Sequence, residues 1–183
     1  MDKRKEANLR VKKSITQTLL HLLGNKSISE ISVSEIIREA GVARASFYRN
    51  YATKESVITT LIADVLESYR ENIKSEGDDF YTYENVHLTF AYFAQYKNQF
   101  VDLHRFGYGS TILEMLNQFH AEVAGTMSNK SIERYKLYIY MGALYNTALV
   151  WLQNGQKESV DEITDIFYKT CVPHAKRATT DSD

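Results

Sequence analysis

Residues 44–50 carry side chains suited to reading a nucleic acid. Arg44, Arg49 and Asn50 are of the types that can bind guanine or adenine edges through two hydrogen bonds each. Tyr48 lies among them, and a tyrosine hydroxyl suits a phosphate oxygen. The chemistry predicted from this group is the binding of a DNA duplex, with some contacts to the backbone and others to base edges.

Two short helices with a glycine between them would position these side chains. Ser32 and Glu35 have the spacing of a capping box at the start of the first helix. Gly41 suits the left-handed conformation that ends a helix sharply. Residues 31–51 therefore predict a helix-turn-helix whose apolar side chains set the angle between its helices. The second helix would leave six residues on or near its exposed side: Arg44, Ala45, Ser46, Tyr48, Arg49 and Asn50.

The whole chain has the composition of an all-α protein. It has 183 residues, of which 44% are hydrophobic, and only one of them is proline, so turns are few. Apolar periodicity predicts helices near residues 5–24, 32–40, 44–50, 54–75, 83–97, 99–106, 110–125, 131–154 and 160–171. We expect a DNA-binding domain over 1–52, a helical effector-binding and dimerisation domain over 53–175, joined to it by a long helix, and a loose tail over 176–183.

Charge is unevenly distributed along the chain. Residues 1–60 hold 11 lysines and arginines against 6 acidic residues, whereas the other 123 hold 11 against 17. A basic end on an acidic remainder suits a protein that presents that end to phosphates.

Several other classes of protein are disfavoured by the sequence. No apolar run approaches the roughly 18–20 residues that span a bilayer, so no membrane partner is expected. The single cysteine, Cys171, fits a reducing cytoplasm. The histidines lack metal-ligand spacing, and neither a glycine-rich phosphate loop nor a nucleophile elbow is present. We therefore expect no catalytic residues, no metal and no cofactor.

The stretch from residue 32 to residue 55 resembles the TetR (tetracycline-repressor) family of bacterial regulators. It carries S-V-x-x-I, A-G-V, F-Y-R-x-Y and x-K-E in unbroken order. By position, the resemblance places Ser32 and Ser34 at the backbone and groove, Tyr48 on phosphate, and Lys54 on phosphate at a helix N-terminus. Two residues depart from the pattern. Ala43 replaces a capping serine or threonine, and Ile37 replaces a common alanine.

The remaining two-thirds resemble the family in length and helix order, with W-L-x-x-G at 151–155. The resemblance implies a small effector in an internal pocket and a homodimer formed by the last two long helices. Of the 22 aromatic residues, 19 follow residue 60. The pocket candidates are Tyr92, Phe93, Tyr96, Phe100, His104, Tyr108, Phe119 and Tyr145. The candidate dimer contacts are Leu137, Met141, Leu144, Ala148, Trp151, Ile163 and Phe167. Both sets could instead be ordinary core.

Together these observations predict a homodimeric, sequence-specific DNA-binding regulator that represses from a palindromic operator until a ligand binds. Activation by the same architecture remains open, because sequence does not place the site relative to a promoter. A helical protein-interaction module, whose helix-turn-helix never touches DNA, is the other alternative. The sequence is silent on the operator, the regulated genes and the ligand.

Overall fold

The computed structural model describes residues 3–74, 80–123 and 131–176, with the side chains of 131–134 and 173–176 left aside. The described residues form helices joined by short turns, without strands, which confirms the all-α prediction. The helices are α1 (Lys3–Leu23), α2 (Val33–Ala40), α3 (Arg44–Asn50), α4 (Lys54–Arg70), α5 (Tyr83–Gln95), α6 (Lys97–Leu103), α7 (Gly109–Val123), α8 (Ser131–Gln153) and α9 (Val160–Lys176).

Two connecting turns have helical character that the sequence pattern did not indicate. A single 3₁₀ turn, Ile28–Glu30, follows α1. A wide π turn, His104–Tyr108, joins α6 to α7, and within it Gly107 adopts a φ of 88°. Because that φ is left-handed, it favours glycine at this point of the chain.

The ends of two helices differ from the prediction. The helix α4 ends at Arg70 rather than near residue 75. The last helix, α9, continues through Pro173 to Lys176, although the proline was expected to stop it. A proline fixes φ near its helical value and removes one backbone donor, so it need not end a helix. Residue 176 is thus helical, and the rest of the predicted loose tail lies outside the described residues.

Side-chain caps begin the helices α2, α4, α5 and α9, although one predicted box is only half formed. Ser32 Oγ accepts a hydrogen bond from the Glu35 backbone N–H at 3.1 Å, but the Glu35 carboxylate binds Lys26. The box predicted at Ser159 and Glu162 is complete, with both reciprocal bonds present. Each cap satisfies backbone groups that the first helical turn leaves unpaired.

One apolar core runs from the N-terminal helices into the body. In the N-terminal part, α1 packs on α2, α3 and α4 through Ile15, Leu19, Ile36, Phe47 and Val57. In the body, α5 packs on α9, α7 packs on α4 and α8, and α8 packs on α9. The helix α4 therefore contacts both parts and links them, and α1 also contacts α6 in the body.

Within the described part of the chain, no helix is long and apolar enough to cross a membrane. The same residues hold no group of three or more histidine, cysteine or acidic side chains that could share a metal ion.

Candidate nucleic-acid interface

The turn between α2 and α3 is built by Gly41. Its φ of 64° is left-handed, as predicted, and its N–H donates to Arg38 O at 3.3 Å. The next N–H, of Val42, donates back to Ile37 O at 3.2 Å. These bonds satisfy carbonyls at the end of α2 and set the direction in which α3 begins.

Buried side chains hold α3 against the rest of the N-terminal part. Phe47 is fully buried and Tyr51 is 3% exposed, with their ring centroids 5.8 Å apart. On the other side of the turn, Ser14 Oγ in α1 donates to Ala40 O at 2.8 Å. Because both ends of the turn are fastened to α1 or to the core, α3 presents its outer side at a fixed angle.

The outer side of α3 presents the predicted residues to solvent. Among the nine sequence-predicted DNA contacts, the exposed ones are Ser32, Ser34, Arg44, Ala45, Tyr48 and Arg49. Ser46 is half-buried. The helix carries two arginines and no acidic residue, so its outer side is positively charged.

Three of these side chains form one contact cluster, which joins α2 to α3. The Arg44 guanidinium lies over the Tyr48 ring, 5.3 Å from its centroid, and one Nη donates to Tyr48 Oη at 3.4 Å. The other Nη donates to Ser34 Oγ, also at 3.4 Å. All three side chains are exposed, so long, weak bonds of this kind can exchange for bonds to a phosphate or a base edge. We refer to Ser34, Arg44 and Tyr48 as the α2–α3 cluster.

Asn50 lies differently from what the sequence predicted. Its side-chain amide pairs with that of Asn8 in α1, through bonds of 3.0 and 3.1 Å. The same Asn50 Nδ2 also donates to Ser46 O at 2.8 Å. Because these bonds occupy the amide, Asn50 fastens the end of α3 to α1 and is half-buried. A base contact by Asn50 would require it to give them up.

Lys54 lies at the N-terminus of α4, where the resemblance placed it, but it also has a role within the fold. Its Nζ donates to Ile31 O at 2.6 Å and to Ser29 O at 3.4 Å. These bonds fasten the start of α4 to the loop before α2. Although an ammonium group has three donors, two here are directed at carbonyls, which leaves one for a phosphate.

The acidic residues near the cluster are already paired with cations. The Glu35 carboxylate accepts a hydrogen bond from Lys26, and this bond lowers the pKa of Glu35 and raises the pKa of Lys26. Glu39 lies 3.5 Å from Arg38. Local pairing of this kind leaves the field of the α3 arginines directed outward.

The predicted pocket residues divide into two groups. A cavity of about 110 Å³ lies in the body, and five of the eight candidates line it: Tyr92, Phe93, Tyr96, Phe100 and Phe119. His104, Tyr108 and Tyr145 do not line it. His104 Nδ1 and Tyr145 Oη instead form a hydrogen bond of 2.7 Å beside Gly109. These two side chains meet outside the cavity because the π turn carries residue 104 toward α8.

Sequence reasoning also missed residues that line the cavity. The largest of these are Tyr69 in α4, Phe80, His120 in α7 and Tyr140 in α8. The helix α4 also contributes Leu61, Ile62, Val65 and Leu66. The helical spacing of apolar residues along α4 was visible in the sequence. The local sequence does not indicate, however, that these residues and their neighbours enclose a cavity.

The candidate dimer contacts lie in the interior of the single chain. All seven are buried in the chain's own core, at 9% exposure or less: Leu137, Met141, Leu144, Ala148, Trp151, Ile163 and Phe167. They pack against other helices of the same chain, and Phe90 alone contacts both the Trp151 and the Phe167 rings. Because α8 is apolar on more than one side, its sequence does not reveal which side faces inward.

A different apolar face of α8 and α9 is exposed. Tyr135, Tyr138, Ile139 and Val150 follow one another at helical spacing along α8, and Ile166 lies on the adjacent α9. Ile139 is 71% exposed and Ile166 is 59% exposed. We call these five residues the α8–α9 face.

The helix-turn-helix segment is similar to a known family of proteins. Residues 15–60 match the family model described as "Bacterial regulatory proteins, tetR family". Over 71 residues, 37% of this chain, the sequence is 30% identical to the uncharacterized helix-turn-helix-type transcriptional regulator YvdT of Bacillus subtilis. The chain spans about two-fifths of the length of the curated relatives it matches.

Solved structures show the same fold over nearly the whole chain. The dihydroxyacetone kinase operon activator DhaS superposes with a TM-score of 0.57 at 15% identity, covering 91% of this chain and 97% of its own. The regulator FadR of Bacillus subtilis, solved in complex with stearoyl-CoA, superposes with a TM-score of 0.51 at 17% identity. That match covers 87% of this chain and 97% of FadR. The likeness extends the shared fold beyond residue 60 into the body.

Proposed function

We propose that this chain is a sequence-specific, DNA-binding transcriptional regulator of the tetR family, because residues 15–60 match that family's model and the chain shares its overall fold with a solved regulator, DhaS. The observation that carries this proposal is the α2–α3 cluster. Arg44 and Tyr48 lie exposed on the short helix α3, whose angle is set by Gly41 and by buried Phe47, and they contact Ser34 on α2. A short, cationic, rigidly held helix can enter the major groove of DNA.

Individual residues on the exposed side of the helix-turn-helix have different roles in this proposal. Arg44 and Arg49 reach base edges, Ala45 and Ser46 approach the groove floor, and Ser32, Ser34, Tyr48 and Lys54 contact the backbone. Asn50 acts by holding α3 on α1. Residues 1–52 form the DNA-binding domain in this proposal and residues 53–175 the regulatory domain, with α4 belonging physically to both.

The functional unit is a homodimer that binds a palindromic operator. One helix of seven residues reads few bases, and two-fold pairing doubles the contacts at half-sites about 34–36 Å apart, or a multiple of that spacing. The α8–α9 face supplies the contact, because it is the apolar surface that the fold leaves exposed on two adjacent long helices.

A small molecule in the cavity controls DNA binding. The cavity is bounded on one side by α4, and the first residue of α4, Lys54, is bonded to the loop before α2. Displacement of α4 by a ligand therefore moves the helix-turn-helix of each protomer and changes the distance between the two reading helices. The regulator represses when free of ligand, and it acts in the cytoplasm, where bacterial DNA lies. Since the structurally similar DhaS is named an activator, the alternative is that this regulator activates transcription.

Selection from a random DNA pool tests the proposal. The purified full chain should enrich a palindrome, and the logarithm of its affinity should fall steeply and linearly with the logarithm of salt concentration. If no sequence is enriched and no duplex binds in a salt-dependent way, with or without metabolite extract, the helix-turn-helix is scaffold and the protein is an interaction module.

Four single substitutions test the assigned roles. Tyr48→Phe and Lys54→Ala should weaken all duplexes alike, whereas Arg44→Ala and Arg49→Ala should cost about 1–3 kcal/mol on the selected palindrome and also relax base preference. Lys157→Ala, which removes an exposed charge between α8 and α9, is the matched control and should bind like the parent. If all four variants also bind like the parent, the assigned reading side is wrong.

A further inference from the structure

The cavity in the body is lined almost entirely by apolar atoms. Aliphatic side chains of α4, α7 and α8 form much of its wall, and aromatic rings from α4 to α8 form most of the rest. A space of this kind excludes ions and strongly hydrated groups, because none of their hydration would be replaced. The few polar groups in the wall therefore decide which ligand fits.

His120 is the polar side chain that stands out in this wall. It is 2% exposed, and neither ring nitrogen has a hydrogen-bond partner. Aromatic rings surround it: Phe80 at 4.9 Å, Tyr140 stacked at 5.3 Å and Tyr81 at 5.5 Å between centroids. Burial lowers the pKa of His120 to about 4, so at neutral pH the ring is uncharged and offers one N–H donor and one bare nitrogen acceptor. Leaving both unpaired costs stability, and a ligand that pairs with one recovers part of that cost.

Three other polar side chains of the wall, Tyr69, Thr89 and Tyr92, already form hydrogen bonds within the protein. Tyr69 Oη bonds Thr89 Oγ1 at 2.9 Å, and Thr89 Oγ1 donates to Asn85 O at 2.8 Å. Tyr92 Oη donates to Ser68 O at 2.8 Å and accepts from Asn72 Nδ2 at 3.1 Å. These side chains present their rings to the cavity while their hydroxyl or amide partners lie elsewhere. His120, by contrast, is a buried side chain of the wall whose two ring nitrogens have no hydrogen-bond partner.

No lysine, arginine, aspartate or glutamate is found among the described residues that line the cavity. One cation close to the wall is Arg70, whose guanidinium lies 5.0 Å from the centroid of the Phe119 ring. Arg70 is paired with Glu122 at 2.6 Å, so its charge is neutralised on the outer side of that ring. A carboxylate or a phosphate in the cavity would therefore have no counter-ion.

We infer that the effector is an uncharged, mainly apolar molecule bearing a hydroxyl group, phenolic or alcoholic, which hydrogen-bonds to His120. This inference rests on the proposed effector-controlled function and specifies the ligand class for the same cavity. A hydroxyl both donates and accepts, so it pairs with either tautomer of a neutral imidazole, whereas a carbonyl can only accept. The apolar body of the ligand packs against the α4 side chains and so reaches the helix that leads to the DNA-binding part.

Three probes with one apolar body test the ligand class. They are 4-propylphenol, propylbenzene and 4-propylbenzoate, titrated calorimetrically into the purified full chain at pH 7.5. We expect the phenol to bind about tenfold more tightly than propylbenzene, the value of one buried hydrogen bond, and the benzoate to bind more weakly than either. Benzoate binding equal to phenol binding, or no binding by any probe, would overturn the inference.

Two variants locate the hydrogen bond. His120→Phe should reduce affinity for the phenol about tenfold without weakening propylbenzene, and His120→Gln, which keeps a donor and an acceptor, should retain the preference for the phenol. His87→Phe, on the outer side of α5 and outside the cavity, is the matched control. A chemical-shift change of the His120 ring nitrogens on adding the phenol to the parent gives an independent readout.

An unchanged phenol preference in His120→Phe would overturn the assignment. Measuring DNA binding with the same protein samples distinguishes this outcome from failure of the proposed function. If the protein enriches a DNA sequence but does not bind the phenol, only the inferred ligand class is contradicted. If it binds the phenol but no DNA, the proposed function as a DNA-binding regulator is contradicted.

Discussion

At the scale of single residues, burial of His120 has a consequence for stability that is separate from ligand binding. Its pKa is lowered to about 4 in the folded protein, below the value near 6.5 of an unfolded chain. At a pH between these two pKa values, His120 is protonated in the unfolded state but neutral in the folded state. The free energy of unfolding therefore falls as the pH drops from about 6.5 to about 4, by an amount on the order of 3 kcal/mol for this group.

We accordingly expect urea unfolding of the parent to show a pH slope in that window that is absent in His120→Phe. Carboxylates titrate in the same range, so the quantity to compare is the difference between parent and variant at each pH. Parallel curves for the parent and His120→Phe would contradict the assignment of a neutral, buried ring.

Residue-level prediction from the sequence succeeded where the determinants are local. Gly41 at positive φ and Phe47 in the core follow from turn chemistry and apolar spacing over about ten residues. Asn50 and His120 were not anticipated, because their roles depend on partners or neighbours far along the chain. Asn8 lies 42 positions from Asn50, and Tyr140 belongs to a different helix from His120.

At the scale of elements, the start of α3 is the weakest point of the helix-turn-helix. Ala43 holds the N-cap position with extended backbone angles, φ −69° and ψ 144°, but makes no side-chain cap bond. A serine with the same backbone could accept a hydrogen bond from the first turn. The equivalent caps of α2 and α4, at Ser32 and Thr53, are both formed.

Ala43→Ser should therefore raise the free energy of unfolding by about 0.5–2 kcal/mol, measured by urea denaturation. Ala45→Ser is the matched control, since it adds the same hydroxyl inside α3, where no orphan N–H is available to it and helix propensity falls slightly. If the Ala43→Ser protein is no more stable than the Ala45→Ser protein, the backbone N–H groups at the start of α3 already have other hydrogen-bond partners.

Element boundaries were predictable where capping residues mark them, as at Thr53 and Ser159. They were not predictable between α6 and α7, where the chain stays helical through a π turn and Gly107 alone breaks the pattern. Glycine in such a stretch is consistent with several local geometries. The direction taken there separates His104 from the cavity, so that His104, Tyr108 and Tyr145 lie outside it, whereas the candidates on α5 line it.

At the scale of the whole molecule, α4 connects the proposed effector cavity to the proposed DNA-binding part, because both contact this helix. The cavity lies on its middle and C-terminal turns, and the DNA-binding part is fastened to its first residue. The all-α class and helix order were readable from the sequence, because breakers are rare and apolar periods are long. The side of α8 that faces outward was not, because both sides are apolar and only packing against α5, α6, α7 and α9 distinguishes them.

The α8–α9 face therefore provides the test of assembly. Ile139→Asp places a charge at its most exposed isoleucine, and we expect the dimer dissociation constant to rise at least about 30-fold, since removing a central interface anchor costs about 2 kcal/mol or more. Sedimentation equilibrium measures this constant, and affinity for the selected palindrome should fall with it because one half-site is lost. Ile166→Asp should act in the same direction from α9. Gln95→Asp, which introduces the same side chain on the exposed side of α5, should leave both quantities unchanged. If Ile139→Asp and Ile166→Asp remain dimers that bind the palindrome normally, the two protomers meet through another surface, and the geometry linking the cavity to half-site spacing must be derived from that surface instead.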